Sequence, residues 1–250
     1  MTTRHDAAQA VAALPAQAAA WDAYLTAHSG LPGPRANLEL LHAVAAAATP
    51  QYLWHAAAST DEYLAMCGAA GLGRLVVEGD AEAAVRLREL AADDRWRVRE
   101  GVAMALQTLG DADPATLRTL TTAWAGDAPL VQRAAVAGLC EPRLLQTDDA
   151  VRHTLAVLDQ VTTALVALPA PRRTEPGTRA LRKALGYAWS VVVAAGPEVG
   201  FPRLERWATH PDADVRWVVR ENLRKARLGR ADAARTARLA DTFSGRAAAR

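Results

Sequence analysis

Apolar and small residues recur along the chain at every fourth position, and each run follows a short polar turn. This spacing puts the apolar side chains on one face of an α-helix. The clearest runs, each starting from an anchor residue at position 0 and continuing at +4 and +8, are Val98, Val102 and Leu106; Val131, Ala135 and Leu139; and Val215, Val219 and Leu223. No long Val/Ile/Thr-rich segment competes for strand formation, so the pattern predicts an all-α protein.

The runs repeat along the chain. Their anchors are Leu64, Val98, Val131, Leu181 and Val215, which are 34, 33, 50 and 34 residues apart. A second helical segment precedes each anchor, and these segments are residues 50–58, 80–91, 115–125, 150–168 and 198–208. Residues 21–48 fit a sixth unit. A period of about one helix pair is typical of repeat proteins, and the 50-residue interval can hold an insertion.

Two turns share a sequence pattern, "DDRWRVRE" and "DADVRWVVREN". An aspartate just before a helix can accept hydrogen bonds from its first free N–H groups, so Asp94, Asp127 and Asp212 are predicted helix caps. Arg99 and Arg216 follow the anchor valines and are predicted to pair with an aspartate of a neighbouring unit. Direct contact of these residues with a ligand is the alternative.

A helix pair whose second helix opens with an aspartate and carries an arginine soon after resembles the HEAT repeat. The phrases "SGLPGPRANLEL", "CGAAGLGRL", "WRVREGVAMALQ", "LGYAWSVVVAAGP" and "DVRWVVRENLRKARL" are also similar to a group of bacterial HEAT-repeat proteins, a likeness that implies no known chemistry. The resemblance implies a right-handed superhelix, or α-solenoid, of about six helix pairs. The expected organisation is an N-terminal tail (1–19), a HEAT-repeat domain (20–228) and a basic C-terminal tail (229–250).

Composition places the chain among ordinary globular proteins. It has 250 residues, 51% hydrophobic and 22% charged. Two cysteines, Cys67 and Cys140, cannot form a disulfide framework, and we expect buried thiols in a reducing compartment. No apolar run approaches the ~20 residues of a membrane span, and the N-terminal sequence lacks the apolar core of a signal peptide. These features predict a cytoplasmic protein without a membrane partner.

The charge is unevenly distributed. Residues 172–250 contain 17 Lys+Arg against 8 Asp+Glu, a net charge of +9, whereas residues 1–171 carry −7. In a superhelix of helix pairs, the second helices line a concave groove, which here would become more basic toward the C-terminus. The candidate binding residues in this groove are Trp96, Glu100, Arg133, Lys183, Trp189, Trp217, Arg220, Glu221 and Arg224. Core packing of the tryptophans and a solvated arginine face are the alternatives.

Motifs for known chemistry are missing from the sequence. No histidine or cysteine pair has metal-ligand spacing, and neither a Walker loop nor a G-x-S-x-G elbow is present. The glycines of "GAAGLG" (68–73) are predicted to end a helix and to allow close helix packing. We therefore expect no metal or cofactor and assign no catalytic residue.

Three functions remain. A non-enzymatic scaffold that holds a protein partner in its groove is favoured, because HEAT-type solenoids commonly do so. The alternative is a nucleic-acid-binding protein, including a hydrolase similar to the HEAT-like DNA glycosylases of alkylated purines. Glu100 or Glu221 would then stabilise a sugar cation, and Trp96, Trp189 or Trp217 would press the nucleotide. The third is a lyase-like or chaperone role toward a cofactor-bearing protein, for which no tetrapyrrole-ligand pattern is seen.

Overall fold

The structure is a computed structural model that describes residues 3–243. Within this span it contains sixteen α-helices and one 3-10 turn and no β-strand. The all-α class predicted from the sequence is thus confirmed. The chain divides into two compact units, residues 1–117 (unit 1) and 118–250 (unit 2).

Unit 1 is organised around one long helix. Its helices are α1 (Arg4–Ala12), α2 (Ala18–His28), α3 (Leu38–Ala47), α4 (Pro50–Ala57), α5 (Glu62–Val77), α6 (Ala81–Leu90) and α7 (Trp96–Ala112). Helix α5 packs against α3, α4, α6 and α7. Because it contacts helices on several sides, most of its side chains are buried, as expected for a helix that is apolar around most of its circumference.

Glycines in α5 allow two of these contacts to be very close. A Cβ atom at Gly68 would collide with the backbone of Ala57 in α4, and one at Gly73 would lie 2.5 Å from the carbonyl oxygen of Ala105 in α7. The sequence prediction that these glycines end a helix is wrong, because α5 continues to Val77. The prediction of close helix packing agrees with these contacts.

Polar side chains cap the helices of unit 1. Asn37 accepts a hydrogen bond from the backbone N–H of Leu40, and Asp80 accepts one from Ala83. Asp61 accepts from two N–H groups, those of Tyr63 and Leu64, at 2.8 and 2.9 Å. Each cap satisfies donors that a helix cannot pair internally, so the starts of α3, α5 and α6 are determined by the local sequence.

Unit 2 is organised around α12. Helix α8 (Pro114–Trp124) contains the division point between the units. The elements that follow are α9 (Pro129–Leu139), a 3-10 turn (Pro142–Leu144), α10 (Asp148–Ala167), α11 (Ala170–Arg173), α12 (Pro176–Ala195), α13 (Pro197–Ala208), α14 (Ala213–Leu223), α15 (Ala226–Ala231) and α16 (Ala233–Phe243). Helix α12 packs against α9, α10, α13, α14 and α15.

The five sequence anchors lie at or near the starts of α5, α7, α9, α12 and α14, and all five are buried. In unit 1, α5 lies between α3 and α7; in unit 2, α12 lies between α9 and α14. Second helices of successive sequence repeats therefore pack on one another inside each unit. The right-handed superhelix of about six pairs stays a prediction.

The segments predicted as tails contain helices. Residues 4–12 form α1, which packs on α3 and buries Ala7 and Val11. Toward the C-terminus, α16 packs on α15 and buries Leu239. These helices are held because each has apolar residues on the face it buries. The last part of the predicted C-terminal tail, residues 244–250, lies outside the described residues, as do residues 1–2.

A basic and aromatic candidate binding site

The turn before α7 is stabilised by Asp93 and Arg95 rather than by Asp94. Arg95 is the N-cap of α7, and Asp94 is exposed one residue earlier. The carboxylate of Asp93 accepts hydrogen bonds from the Arg95 backbone N–H at 2.8 Å and from its guanidinium at 2.7 and 2.9 Å. The Arg95 guanidinium also donates to the carbonyl oxygens of Ser59 and Thr60. Arg95 thus joins two successive turns, and the prediction that Asp94 caps the helix is wrong.

The charge pair affects ionisation in this turn. The hydrogen bond from Arg95 holds the pKa of Asp93 below its ordinary value, although partial burial acts in the opposite direction. Arg99 donates to the backbone carbonyls of Asp93 and Asp94, in its own turn. Arg99 therefore helps to hold the turn before α7 through hydrogen bonds to backbone carbonyl groups.

Asp212 caps α14 directly. Its carboxylate accepts from the N–H groups of Asp214 and Val215 at 2.9 and 3.2 Å, and the Arg173 guanidinium donates to it at 2.5 Å. Burial alone would raise the pKa of Asp212, but the Arg173 hydrogen bond and the two backbone N–H groups together lower it. Arg216, the predicted pairing residue, instead places its guanidinium 5.2 Å from the ring centroid of Phe243.

A shift of one residue explains the incorrect cap predictions. In four of the five repeats the N-cap lies three residues before the anchor, and these caps are Asp61, Arg95, Ala128 and Asp212. Asp94 and Asp127 lie four residues before their anchors. Asp127 accepts a hydrogen bond from the N–H of Ala128, the N-cap residue, at 2.6 Å, and is not itself the N-cap of α9.

The three candidate tryptophans have different environments. Trp189 is buried, with 1% of its surface exposed, and its indole N–H donates to Thr162 at 3.3 Å. It is a core residue, so its assignment to a groove is wrong. Trp96 is 52% exposed in unit 1, with the Arg97 guanidinium 4.6 Å from its ring centroid. Trp217 is half-buried in unit 2.

Trp217 lies in a pocket of about 550 Å³ between α12 and α14, which we call the α12–α14 pocket. Its cationic side chains are Arg179, Arg182, Lys183 and Lys225. Gly186, Tyr187, Trp217 and Glu221 complete the lining. The pocket therefore combines two aromatic rings with four cations and one carboxylate.

The indole of Trp217 is held on two sides. A Cβ atom at Gly186 would lie 2.9 Å from the Trp217 ring, so glycine at this position lets the indole approach α12. The Arg182 guanidinium lies 4.7 Å from the ring centroid, a cation–π geometry, and donates to Asp214 at 2.5 Å. Trp217 is half-buried and Gly186 is buried, and we call these two residues the apolar base of the pocket.

Arg179 and Lys183 are exposed and Lys225 is half-buried, and we call these three cations the rim of the pocket. Within residues 3–243, no ion pair involves Arg179, Lys183 or Lys225. The lining carboxylate, Glu221, pairs with Arg224 at 2.5 Å. The pocket is thus positive at its rim and apolar at its base.

Part of this site is predictable from the sequence. Lys183, Trp217 and Glu221 line the pocket, and Arg224 is attached to it through Glu221. Arg220 is exposed elsewhere on α14, Arg133 is half-buried on α9, and Glu100 is half-buried on α7 of unit 1.

Five lining residues were not among the candidate binding residues: Arg179, Arg182, Gly186, Tyr187 and Lys225. Arg179, Lys183 and Tyr187 are spaced four residues apart, so they follow one face of α12, and this spacing could have identified them.

Other reactive groups are less suited to chemistry. Cys67 and Cys140 are buried, and burial raises the pKa of both thiols, which makes them poor nucleophiles. No three His, Cys, Asp or Glu side chains among the described residues are grouped so that they could hold a metal ion. No helix in the described part of the chain is long and apolar enough to cross a membrane.

Comparisons with known proteins give no family. No protein-family model matches the chain, and no curated protein sequence matches it. The solved structures similar to it include two crystal structures, each of an engineered protein. One has a TM-score of 0.38 and 17% identity over 89% of this chain and 97% of that one. The other has a TM-score of 0.38 and 16% identity over 92% and 98%. Neither similarity assigns a fold family or a function.

Proposed function

We propose that the chain is a HEAT-type α-solenoid that acts as a non-enzymatic binding scaffold. Two observations support the repeat assignment: the buried anchors recur at or near the starts of α5, α7, α9, α12 and α14, and second helices pack on one another inside each unit. Repeat proteins of this kind present extended surfaces rather than enclosed sites. Binding by a surface needs no catalytic group.

The binding site of this scaffold is the α12–α14 pocket, and its ligand is an acidic segment of a protein partner. The observation that carries this proposal is the arrangement of Arg179, Lys183 and Lys225, which make no ion pair within residues 3–243, around the apolar base formed by Gly186 and Trp217. An acidic peptide with one large apolar side chain matches both features. The carboxylates would meet the rim, and the apolar group would displace water from the base.

The aromatic rings favour a protein ligand over a nucleic-acid base. Stacking of a base needs an open ring face. The Arg182 guanidinium lies over one face of the Trp217 ring, and the Cζ3 and Cη2 atoms of the indole lie against Gly186. Trp189 is in the core. Trp189 therefore offers no stacking surface, and Trp217 is half-buried with a guanidinium on one face, which weighs against the glycosylase hypothesis.

Nucleic-acid binding through phosphate contacts remains the second candidate, supported by the charge of unit 2. Residues 118–250 contain 21 Lys+Arg against 13 Asp+Glu, a net charge of +8, whereas residues 1–117 contain 8 against 14, a net of −6. A positive unit attracts phosphates without sequence preference, and such binding weakens steeply as salt rises.

A peptide-display selection tests the scaffold proposal. A library of random 12-residue peptides would be selected on the intact protein at physiological salt. We expect enrichment of sequences that combine Asp or Glu with one aromatic or long aliphatic residue.

The double variant Lys183→Ala/Lys225→Ala should weaken the selected peptides about tenfold or more, the effect of about 1.4 kcal/mol. Arg220→Ala/Arg238→Ala is the matched control, because it removes two exposed cations of unit 2 outside the pocket. Equal losses in the two double variants would show that net charge, not the pocket, causes binding. Tighter binding of single-stranded or duplex DNA than of every selected peptide would favour the second candidate.

A further inference from the structure

A second pocket, of about 560 Å³, adjoins the α12–α14 pocket. It is lined by Tyr187 and Val191 of α12, by Gln146, and by Arg227 and Arg230 of α15. Tyr187 lines both pockets. We call this second site the α15 pocket. Because one side chain borders both sites, a ligand that fills one pocket reaches the other without leaving the surface of unit 2.

Both pockets follow one stripe of α12. Arg179, Lys183, Tyr187, Val191 and Ala195 are spaced four residues apart, so they lie along the same side of the helix. At 1.5 Å per residue the stripe is about 24 Å long, and Lys183 and Val191, which mark the two pockets, are about 12 Å apart along the axis. The surface is thus long enough for a peptide segment.

The boundary between the pockets is made by Tyr187 and Arg227. Tyr187 is 44% exposed, and the Arg227 guanidinium lies 4.5 Å from its ring centroid. This stacking places Arg227 beside the path from one pocket to the other. A segment that crosses Tyr187 would therefore pass a cation at the crossing point.

The two pockets differ in chemistry. The α12–α14 pocket has Trp217 and Gly186 at its base. The α15 pocket is dominated by polar groups, the guanidiniums of Arg227 and Arg230 and the amide of Gln146, which donates to the Pro142 carbonyl at 2.7 Å. Within residues 3–243, Arg227 and Arg230 form no ion pair. The first pocket suits an apolar side chain and the second suits a carboxylate.

We propose that the ligand of the α12–α14 pocket continues across Tyr187 and places a carboxylate between Arg227 and Arg230. This inference rests on the proposed function, which supplies the acidic segment. It adds a two-part recognition rule: the segment carries an apolar anchor for the α12–α14 pocket and an acidic group for the α15 pocket, and their separation is set by the two pockets, whose markers Lys183 and Val191 are about 12 Å apart along α12. That distance corresponds to about four residues in an extended chain at about 3.3 Å per residue, or about eight in a helix.

Four fluorescein-labelled peptides test the rule by fluorescence anisotropy. The first has a phenylalanine anchor in an acidic context, followed by a glutamate four residues later. The second has the same composition with that glutamate moved next to the anchor. The third ends after the anchor. A fourth peptide with an eight-residue separation tests the helical spacing. We expect one of the two spaced peptides to bind about tenfold more tightly than the second and third peptides.

Variants connect that gain to the α15 pocket. Arg230 is exposed and takes no part in the contact with Tyr187. Arg230→Gln should remove most of the gain in affinity of the spaced peptide and leave the affinity of the third peptide unchanged. Arg227→Lys keeps the charge but loses the planar fork of donors, and should remove part of it. Arg220→Gln is the control on a neighbouring helix, and circular dichroism of each variant verifies folding.

The outcomes separate the two proposals. If no peptide binds the unaltered protein, the proposed function fails. If the third peptide binds through Lys183 and Lys225 but spacing and Arg230→Gln have no effect, only the two-part rule fails. Equal weakening of a 12-nucleotide single-stranded DNA and of all peptides by Arg230→Gln and Arg220→Gln would also overturn the rule, because it would indicate charge attraction without a defined register.

Discussion

The turns before α7 and α14 have similar sequences but different contacts. Before α14, Asp212 caps the helix and receives Arg173 from outside its own turn. Before α7, an arginine occupies the cap position, and it reaches back to the preceding turn at Ser59 and Thr60. Both arrangements join a helix start to another part of the same unit, through the Arg173–Asp212 pair before α14 and through hydrogen bonds from Arg95 to backbone carbonyls before α7. The N-cap residue is an aspartate, Asp212, before α14 and an arginine, Arg95, before α7.

The tryptophans that follow these turns, Trp96 and Trp217, also differ in their contacts. Trp96 precedes its anchor valine by two residues, and Trp217 follows its own by two. Four residues are about one helical turn, so the two side chains are on similar faces at different heights. Trp217 consequently meets Gly186 of the adjacent helix, whereas Trp96, at the first residue of α7, is solvent-exposed. Similarity of motif therefore does not imply similarity of contact.

The largest expected difference concerns these two tryptophans. Trp217→Ala should lower the free energy of unfolding by about 2–3 kcal/mol, because it removes a large half-buried side chain and leaves a space beside Gly186. Trp96→Ala should change it by less than about 0.5 kcal/mol, as is usual for exposed positions. Urea denaturation followed by far-ultraviolet circular dichroism measures both, and equal effects would contradict the assigned packing.

The aspartates come next. Asp212→Ala removes a cap and a partner of Arg173, and should cost about 1–2 kcal/mol. Asp94→Ala should cost less than about 0.5 kcal/mol, because Arg99 uses the Asp94 carbonyl and not its carboxylate. Hydrogen exchange at the Asp214 and Val215 amides should accelerate only in Asp212→Ala. Acceleration at the start of α7 in Asp94→Ala would restore the original cap prediction.

The arginines should show a smaller contrast. Arg95→Ala breaks contacts with Asp93 and with two carbonyls of the preceding turn, and should cost about 1 kcal/mol. Arg95→Lys should recover little of this, since an ammonium cannot reproduce the planar fork. Arg216→Ala removes mainly a contact with Phe243 and should cost under about 0.5 kcal/mol. Thermal unfolding midpoints of the three variants decide whether the first exceeds the last.

The smallest effect is a pH dependence. The pKa values of Asp93 and Asp212 lie below the ordinary 3.8 in the folded chain. The unfolded chain therefore binds protons first as pH falls, so the stabilisation from each carboxylate is complete above about pH 5 and is lost as pH falls toward the folded pKa. Asp212→Asn removes one of these contributions. Its stability deficit relative to the unaltered protein should shrink between pH 5 and pH 3 in urea titrations, and a constant deficit would contradict the shift.

Helix positions were predictable because periodicity reports burial directly. The anchors and most helix bounds follow from the four-residue spacing. Trp189 also follows the four-residue spacing. It continues the run of Leu181 and Leu185, and all three side chains are buried. Its burial agrees with the core-packing alternative given for the tryptophans and not with a place in the groove.

Cap register and the pocket were harder to predict, for two physical reasons. Where two aspartates are adjacent, as in Asp93–Asp94, the sequence does not tell which residue is the N-cap, because this depends on where the backbone becomes helical. The pocket joins α12 to Trp217 and Lys225, which are more than thirty residues away from Lys183 in sequence, and their proximity depends on tertiary packing. The residues on one face of α12 can be predicted from their four-residue spacing. The residues of other helices that pack beside this face cannot be predicted in that way.

Arginines cover the solvent-facing rings of Trp96, Tyr187 and Trp217, with Arg97, Arg227 and Arg182 above them. Bare aromatic surface promotes aggregation in concentrated solutions. If two molecules of this protein made contact through the same ring, the guanidinium groups over that ring would lose water. Two like charges would also come close together, and both changes cost free energy. The guanidinium groups therefore oppose contact between identical molecules at these rings.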